Sequence, residues 1–252
     1  MPTNLILANA LVQSSGKGNK MPAYGDQDSQ KRIAAAEAVA EITPGIIVGL
    51  GAGTTSTFAI SAIAVLIARG IEIHSVATSV ATEAAARLAG IPMIDFSKID
   101  IIDLCIDGVD EIDPQLRAIK GAGGAMLREK IVASAARRMI AIADASKRVE
   151  RIGGKPVPLE VLPYAEAFVL KEVRAAGAIA TVRCDDYGNA LRTDQSTVIV
   201  DCSFGPILDP AALSTHLAEI AGVLGHGLFL DQIDALYLGT PTGVVRHERL
   251  QL

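Results

Sequence analysis

Short apolar segments alternate with helical segments along most of this chain, and this alternation restricts its fold more than any other feature. From Gln30 onward, runs rich in Val, Ile and Leu are each followed by a segment with helical periodicity. The apolar runs are IIVGL, IEIHSVAT, IIDLCI and MIAIAD. Strands that are separated by helices join through right-handed crossovers and lie parallel in one sheet. The sequence therefore predicts an α/β fold with a mostly parallel sheet flanked by helices.

The pattern changes after Lys147, and this change predicts a second unit. The Pro- and Gly-rich segment GGKPVPLEVLP is typical of a loop between two units. It is followed by a predicted helix, two strand-like runs (AIATVRC and STVIVDCSF) and another predicted helix. We interpret residues 153–222 as a smaller inserted α+β domain. The Rossmann-like catalytic domain is then discontinuous, 31–152 plus 223–252, and VLGHGLF and DALYLG are expected to rejoin its sheet. Residues 1–30 are polar and glycine-containing, which predicts a mobile leader.

Composition excludes several classes of function. Half of the 252 residues are hydrophobic, aromatic residues make up only 4%, and the net charge is −5. A chain without a broad basic field is not expected to bind nucleic acid. The three cysteines form no C-x-x-C pair, and the longest apolar run, at 58–68, is too short to cross a bilayer. We therefore expect a cytoplasmic protein with reduced cysteines, no disulfide framework, no zinc site and no membrane partner.

The glycine-rich segment VGLGAGTTST at 48–57 lies between a predicted strand and a predicted helix. It lacks the third glycine of a dinucleotide fingerprint and the Gly-Lys-Ser/Thr of a P-loop. Two interpretations remain open. The segment is either an ordinary tight βα turn with hydroxyl caps, or a loop that binds a phosphate through the amides of Gly53, Thr54 and Thr55.

Two aspartates, Asp107 and Asp110, follow the strand IIDLCI. They belong at the carboxyl edge of the sheet, where open parallel sheets bind ligands. By itself, an aspartate-rich loop is more often a solvated turn or a helix cap than a ligand site. Two acids are also too few to specify a Mg²⁺ site.

Glu129 lies within a segment whose helical neighbours are mostly apolar on both faces. Burial of an ionised carboxylate is costly, and desolvation would raise its pKa toward the range of a general base. The alternative is a glutamate that is neutralised by Arg128 or Lys130. Three lysines, Lys31, Lys120 and Lys147, are either surface residues or the cations that an anionic substrate requires.

Together the segments DGVDEID, KGAGGAMLREKIVA, VGLGAGTTST, IADASK and GTPTGV resemble the type A ribose-5-phosphate isomerases. The resemblance extends from about residue 31 to residue 245, with the motifs in the family's order. It implies a cofactor-free and metal-free isomerase of the intramolecular oxidoreductase type. Such an enzyme interconverts D-ribose 5-phosphate and D-ribulose 5-phosphate through an enediolate, in the non-oxidative branch of the pentose phosphate pathway. A homo-oligomer, either a dimer or a tetramer, is expected.

The resemblance also implies roles for single residues. Glu129 matches the general base, Asp107 and Asp110 match the acids that handle hydroxyl protons and ring opening, and Lys120 matches the lysine near the developing oxyanion. The expected substrate-binding residues are Lys31, Gly53, Thr54, Thr55, Gly108, Gly121, Gly123 and Lys147. The chain departs from the family at Ala52, where the loop usually reads G-T-G-S-T, and at Ala122, where glycine is common.

Three other functions compete with this interpretation. A sugar-phosphate-binding protein without turnover would keep the phosphate loop and lose the acid–base residues, whereas all four catalytic positions are present here. A coenzyme A transferase-like enzyme would use a nucleophilic glutamate in place of a base. An isomerase of another phosphorylated aldose would share the same chemistry.

Overall fold

A six-stranded sheet forms the centre of the computed structural model, which describes residues 25–249. Its strands are β1 (Ile47–Leu50), β2 (His74–Ala77), β3 (Leu104–Gly108), β6 (Met139–Asp144), β12 (Ala235–Thr240) and β13 (Gly243–Glu248). They lie in the order β13-β12-β6-β3-β1-β2. All neighbours are parallel except β12 and β13, which pair antiparallel at one edge. The predicted fold class, α/β with a mostly parallel sheet, is confirmed.

Helices cover both faces of this sheet because successive side chains of a strand point to opposite sides. In β6, Ile140 and Ile142 pack into one apolar core, and Met139, Ala141 and Ala143 pack into the other. The helices are α1 (Gln27–Val39), α2 (Gly53–Ala68), α3 (Val80–Leu88), α4 (Met126–Ala135), α5 (Glu166–Ala175) and α6 (Pro210–Glu219). The first core includes residues of α1, α2 and α3, and the second includes residues of α4. Two-sided burial explains why these strands read as continuous apolar runs.

A second, antiparallel sheet lies after β6 in the chain. It contains β7 (Val157–Val161), β8 (Ile179–Val182), β9 (Val198–Ser203) and β10 (Val223–His226), in the order β10-β7-β9-β8. Residues of α5 and α6 pack with these strands in a third apolar core. A further small sheet joins β4 (Glu111–Ile112), β5 (Ala118–Ile119) and β11 (Leu228–Phe229).

The expectation that VLGHGLF rejoins the first sheet is wrong. Gly227 divides this segment into β10, which pairs with β7, and β11, which pairs with β5. The amide of Gly227 donates to the carbonyl of Pro158, and its own carbonyl accepts from the amide of Lys120. DALYLG does rejoin the sheet, as β12. The division of the chain at 153–222 stays a prediction, but β10 extends the second sheet beyond residue 222.

Four strands, β4, β5, β7 and β13, were not predicted. GGKPVPLEVLP contains β7, whose residues are all buried although Pro158 lies within it. The antiparallel edge strand β13, GVVRHE, lacks the strong apolar pattern of its neighbours. Helix α1 begins at Gln27, where the Asp26 side chain accepts from the amide of Ser29, so residues 27–30 of the predicted leader are helical. Residues 1–24 of that leader lie outside the described residues. Within 25–249, no helix has the length and apolar character needed to span a membrane.

The close approach of α1 to β12 generates a stability prediction. A Cβ added at Gly239 would overlap the backbone carbonyl of Gln30, which cannot move without displacing the helix. Gly239→Ala should therefore destabilise the protein by about 1–3 kcal/mol, the usual cost of overpacking. Gly25→Ala is the control, because a Cβ there contacts nothing within 4 Å. Urea unfolding of both variants checks this, and equal midpoints would contradict the packing argument.

Candidate active site

The loop between β1 and α2 approaches the end of β3 closely. A Cβ on Gly51 would overlap the Asp107 carboxylate, so a glycine is required where the two strands end side by side. Helix α2 begins at Gly53, and its N-cap residue, Ala52, makes no side-chain hydrogen bond to the helix. Ser56 donates to the Ala52 carbonyl at 3.0 Å and to Asp107 Oδ1 at 3.3 Å. The first turn of α2 thus holds Asp107 and presents its free amides beside it.

A buried ammonium lies between two buried carboxylates at this edge of the sheet. Lys120 Nζ is 2.9 Å from Asp107 Oδ2 and 3.3 Å from Glu129 Oε2. It also donates to the carbonyl oxygen of Gly108. The three charged residues come from the end of β3, the residue after β5, and helix α4. All three are at least 95% buried, so their charges interact with little screening by solvent.

Burial sets the protonation behaviour of this group. Desolvation raises the pKa of Glu129 to about 7, while Lys120 lowers it and Asp107 raises it. Desolvation likewise raises the pKa of Asp107, against the lowering effect of Lys120. For Lys120, burial favours the neutral amine, but the carboxylates of Asp107 and Glu129 outweigh it and the pKa lies above its ordinary value. The result is a firmly charged lysine beside a carboxyl that titrates near neutral pH.

Asp110 lies at the mouth of the site and contacts the glycine turn that follows Lys120. Its Oδ2 accepts a hydrogen bond of 2.9 Å from the amide of Ala122. The turn needs glycine at Gly121 and Gly124, whose φ angles are +108° and +82°. Helix α4, which carries Glu129, begins directly after this turn.

These groups surround a cavity of about 110 Å³. Every predicted substrate-binding residue lines it, and so do Glu129, Asp110 and Lys120. Asp107 does not line the cavity. It forms an ion pair with Lys120, whose side chain does line the cavity. The lining residues are Lys31, Ala52, Gly53, Thr54, Thr55, Gly108, Val109, Asp110, Lys120, Gly121, Ala122, Gly123, Glu129 and Lys147.

Two residues near the site were not predicted. Val109, which lies between the two aspartates in sequence, lines the cavity, and an apolar residue there does not indicate a role in acid–base chemistry. Phe229 lies with its ring centroid 5.5 Å from Lys120 Nζ. A cation over an aromatic face is attracted by the ring, so Phe229 stabilises the charged form of Lys120. In sequence Phe229 is only one apolar residue in a strand-like run. Among the described residues, no group of three or more His, Cys, Asp or Glu side chains is arranged to hold a metal ion.

The fold and the site define an α/β protein with a pocket lined by the buried side chains of Glu129 and Lys120. The family model described as ribose 5-phosphate isomerase A (phosphoriboisomerase A) matches residues 74–243. A relative of that name from Sphingopyxis alaskensis is 45% identical over 220 residues, covering 87% of this chain and 96% of the relative. One from Roseiflexus castenholzii is 41% identical, covering 88% and 97%.

Solved structures agree with the sequence relatives. The crystal structure of ribose 5 phosphate isomerase A from Neisseria gonorrhoeae superposes with a TM-score of 0.84 at 34% identity, covering 92% of this chain and all of the other. A D-ribose-5-phosphate isomerase in complex with phospho-erythronic acid superposes with a TM-score of 0.86 at 34% identity, covering 89% of this chain and all of the other. The chain belongs to the ribose 5-phosphate isomerase A family. This confirms the resemblance and the predicted class of enzyme, an isomerase of the intramolecular oxidoreductase type.

The raised pKa of Glu129 predicts an unusual pH dependence of stability. Its pKa rises from an ordinary 4.5 in the unfolded chain to about 7 in the folded protein. The protonated carboxyl therefore contributes fully to the free energy of unfolding below pH 4.5, and this contribution is lost as the pH rises through 7. Glu129→Gln removes this loss. The stability of the variant relative to wild type should increase between pH 5 and pH 8, on the order of 1–3 kcal/mol.

Urea unfolding at the two pH values measures this difference. Glu83, which is half-buried and pairs with Arg87, provides the control variant Glu83→Gln, which should show no such change. If the Glu129 variant were less stable than wild type by the same amount at both pH values, the desolvated-carboxyl argument would fail.

Proposed function

We propose that the cavity between the two glycine loops binds D-ribose 5-phosphate and isomerises it reversibly to D-ribulose 5-phosphate. The observation that carries this proposal is the buried Glu129 carboxyl, with a pKa near 7, beside the Lys120 ammonium in a cavity lined by further cations and backbone amides. The solved neighbour in complex with phospho-erythronic acid supports it, since that compound is a phosphorylated sugar acid. The reaction belongs to the non-oxidative branch of the pentose phosphate pathway.

The phosphate is proposed to lie at the first turn of α2. The amides of Gly53, Thr54 and Thr55 lie at a helix start without a side-chain cap, and such amides attract anions. Lys31 and Lys147 line the same cavity and supply positive charge. An extended sugar bound in this way would have its C1 and C2 atoms toward Glu129 and Lys120, at the other side of the cavity.

Proton transfer is assigned to Glu129. Its ionised carboxylate removes the proton from C2 of the aldose and returns it to C1, which yields the ketose through an enediolate. Lys120 stabilises the oxygen on which negative charge develops, because a preorganised cation in a desolvated site needs no reorganisation. The aldose and the ketose are isomers with the same number of electrons, so the reaction requires no external oxidant or reductant.

The two aspartates take different parts in this proposal. Asp110 lines the cavity, and we assign it the transfer of hydroxyl protons and assistance to ring opening. Asp107 is screened from the cavity, so we assign it a role through Lys120, whose charge and position it holds. Gly108, Gly121 and Gly123 leave room for substrate along the rim.

We also propose that the enzyme is a cytoplasmic homo-oligomer with no nucleic-acid or membrane partner. Reduced cysteines support the location, since Cys105, Cys184 and Cys202 are all free. The exposed side chains of Leu162, Tyr164, Phe168 and Leu224, on and beside the second sheet, support association through apolar contacts, and a homodimer is the simplest such assembly.

Removal of the base is the direct test. Glu129→Gln should lower turnover by about 10²–10⁴-fold, because glutamine keeps the shape but cannot accept a carbon-bound proton. Binding of ribose 5-phosphate, measured by calorimetry, should survive because the loop at 53–55 and the lysines hold the phosphate. Solvent deuterium should also stop entering C1 and C2. A wild-type protein that binds the sugar without turnover would favour the binding-protein alternative, and a variant that keeps a tenth of the activity would exclude Glu129 as the base.

The pKa of Glu129 predicts the pH profile of turnover. The base acts in its ionised form, so kcat should fall as the pH drops below about 7 and should level off above it. A substrate phosphate also titrates, with a second pKa of about 6. Asp107→Asn separates the two because a negative charge that raises the pKa of Glu129 is lost, and the inflection should move to lower pH. An inflection that is unchanged in this variant would assign the profile to another group.

A further inference from the structure

The glycine turn at 121–124 is seated on the antiparallel second sheet. A Cβ on Gly121 would come within 2.8 Å of the Pro158 side chain in β7 and 2.7 Å of Met126. A Cβ on Gly124 would come within 3.3 Å of Ile199 in β9. One face of the turn therefore packs on β7 and β9, while Gly121, Ala122 and Gly123 line the cavity.

Arg183, just after β8, holds the same turn by its backbone. Its Nη1 donates to the carbonyl oxygens of Gly121 at 3.0 Å and Ala122 at 2.9 Å. Its Nε and Nη2 donate to the two carboxylate oxygens of Asp201 in β9, at 2.7 and 2.5 Å. This bidentate pair fixes the plane of the guanidinium. The Arg183 backbone is itself anchored, because its amide donates to Ile199 and its carbonyl accepts from Leu191.

The two carbonyl bonds determine where the amides of the turn point. A trans peptide unit is planar, with its C=O and N–H on opposite sides. Since the Gly121 carbonyl faces Arg183, the amide of Ala122 must face away, and it does so toward Asp110 Oδ2 at 2.9 Å. Since the Ala122 carbonyl also faces Arg183, the amide of Gly123 faces away from Arg183 as well, and Gly123 lines the cavity. Successive amides of this kind form an anion-binding nest, in which the Ala122 amide holds Asp110 Oδ2 and the Gly123 amide is left for a second anionic oxygen.

We propose that Arg183, oriented by Asp201, is a positioning residue for the isomerisation. It fixes the amide of Gly123 toward the substrate oxygens near the reacting carbons, and it fixes Asp110 through the amide of Ala122. The inference rests on the proposed function for its catalytic meaning, while the effect on the turn is independent of it. Arg183 does not line the cavity, so it acts only through the turn.

Kinetics of Arg183→Ala, with Arg183→Lys and Arg174→Ala beside it, test the proposal. Arg174 is the matched control because its Nη2 donates to a carbonyl of the same second unit, that of Ala180, which does not line the cavity. Arg183→Ala should lower kcat by about 10–100-fold, the scale of a misplacement of about 1 Å. Arg183→Lys keeps the charge and one donor direction and should recover part of that loss.

Inhibitor binding separates positioning from general loss of structure. Phospho-erythronic acid should bind about 10-fold or more weakly to Arg183→Ala, because its carboxylate would contact the nest. Inorganic phosphate, which uses only the loop at 53–55 and the lysines, should inhibit as in wild type. Hydrogen exchange of the segment 120–126 should accelerate in Arg183→Ala and not in Arg174→Ala.

The outcomes are distinguishable. If Arg183→Ala and Arg174→Ala agree in kcat, in inhibitor affinity and in exchange at 120–126, the inference is overturned. Should Arg183→Ala fail to fold, the same comparison is made with Arg183→Lys, and wild-type behaviour of that variant in all three measurements would overturn it too. A wild-type protein that does not isomerise ribose 5-phosphate, while Arg183→Ala still accelerates exchange in the turn, would remove the proposed function and support the inference about the turn.

Discussion

The Lys120 ammonium, shared between Asp107 and Glu129, is the interaction on which the site depends. Two buried carboxylates from β3 and α4 would repel each other and would be costly to desolvate if no cation lay between them. One ammonium cannot compensate both completely, and burial therefore leaves the pKa of Glu129 near 7. The same side chain donates to the Gly108 carbonyl, so electrostatics and chain position are coupled at one atom. Loss of Lys120 would change the charge of Glu129 and the packing of three elements together.

The second sheet contributes to the position of Lys120, through the residue that follows strand β10. The Lys120 amide donates to Gly227, in the short link between β10 and β11, and Gly227 donates in turn to Pro158 in β7. A Cβ on Gly227 would approach Pro158 Cδ at 2.5 Å, so no side chain fits between these strands. Arg183 bonds to the two residues after Lys120, so the chain is held at Lys120 by Gly227 and directly after it by Arg183. The second unit therefore cannot shift without moving the turn that carries the proposed nest.

The parts that the sequence predicted well are those governed by local pattern. MIAIAD is buried along its whole length and is strand β6 as predicted, and the loops after β1, β3 and β6 meet because parallel strands end at one edge. What the sequence did not predict depends on long-range contacts. Pro158 suggested a turn, yet it lies in strand β7. This strand pairs with β10 on one side and β9 on the other, and all of its residues are buried. Arg183 lies about sixty residues from the turn that it holds, and no spacing rule connects them.

At Ala52 and Ala122, where the chain departs from the family pattern, the backbone groups make the hydrogen bonds and the side chains make none. At Ala52 the carbonyl accepts from Ser56, and the missing hydroxyl leaves the first amides of α2 without a side-chain cap. At Ala122 the amide and the carbonyl are both used, by Asp110 and by Arg183, and only a methyl group is added where glycine is common. In both loops, hydrogen bonds within the protein therefore set the directions of the peptide groups that line the cavity. Because neither alanine replaces a group that transfers a proton in the proposed mechanism, these substitutions should act on affinity and leave the acid–base chemistry to Glu129, Lys120 and Asp110.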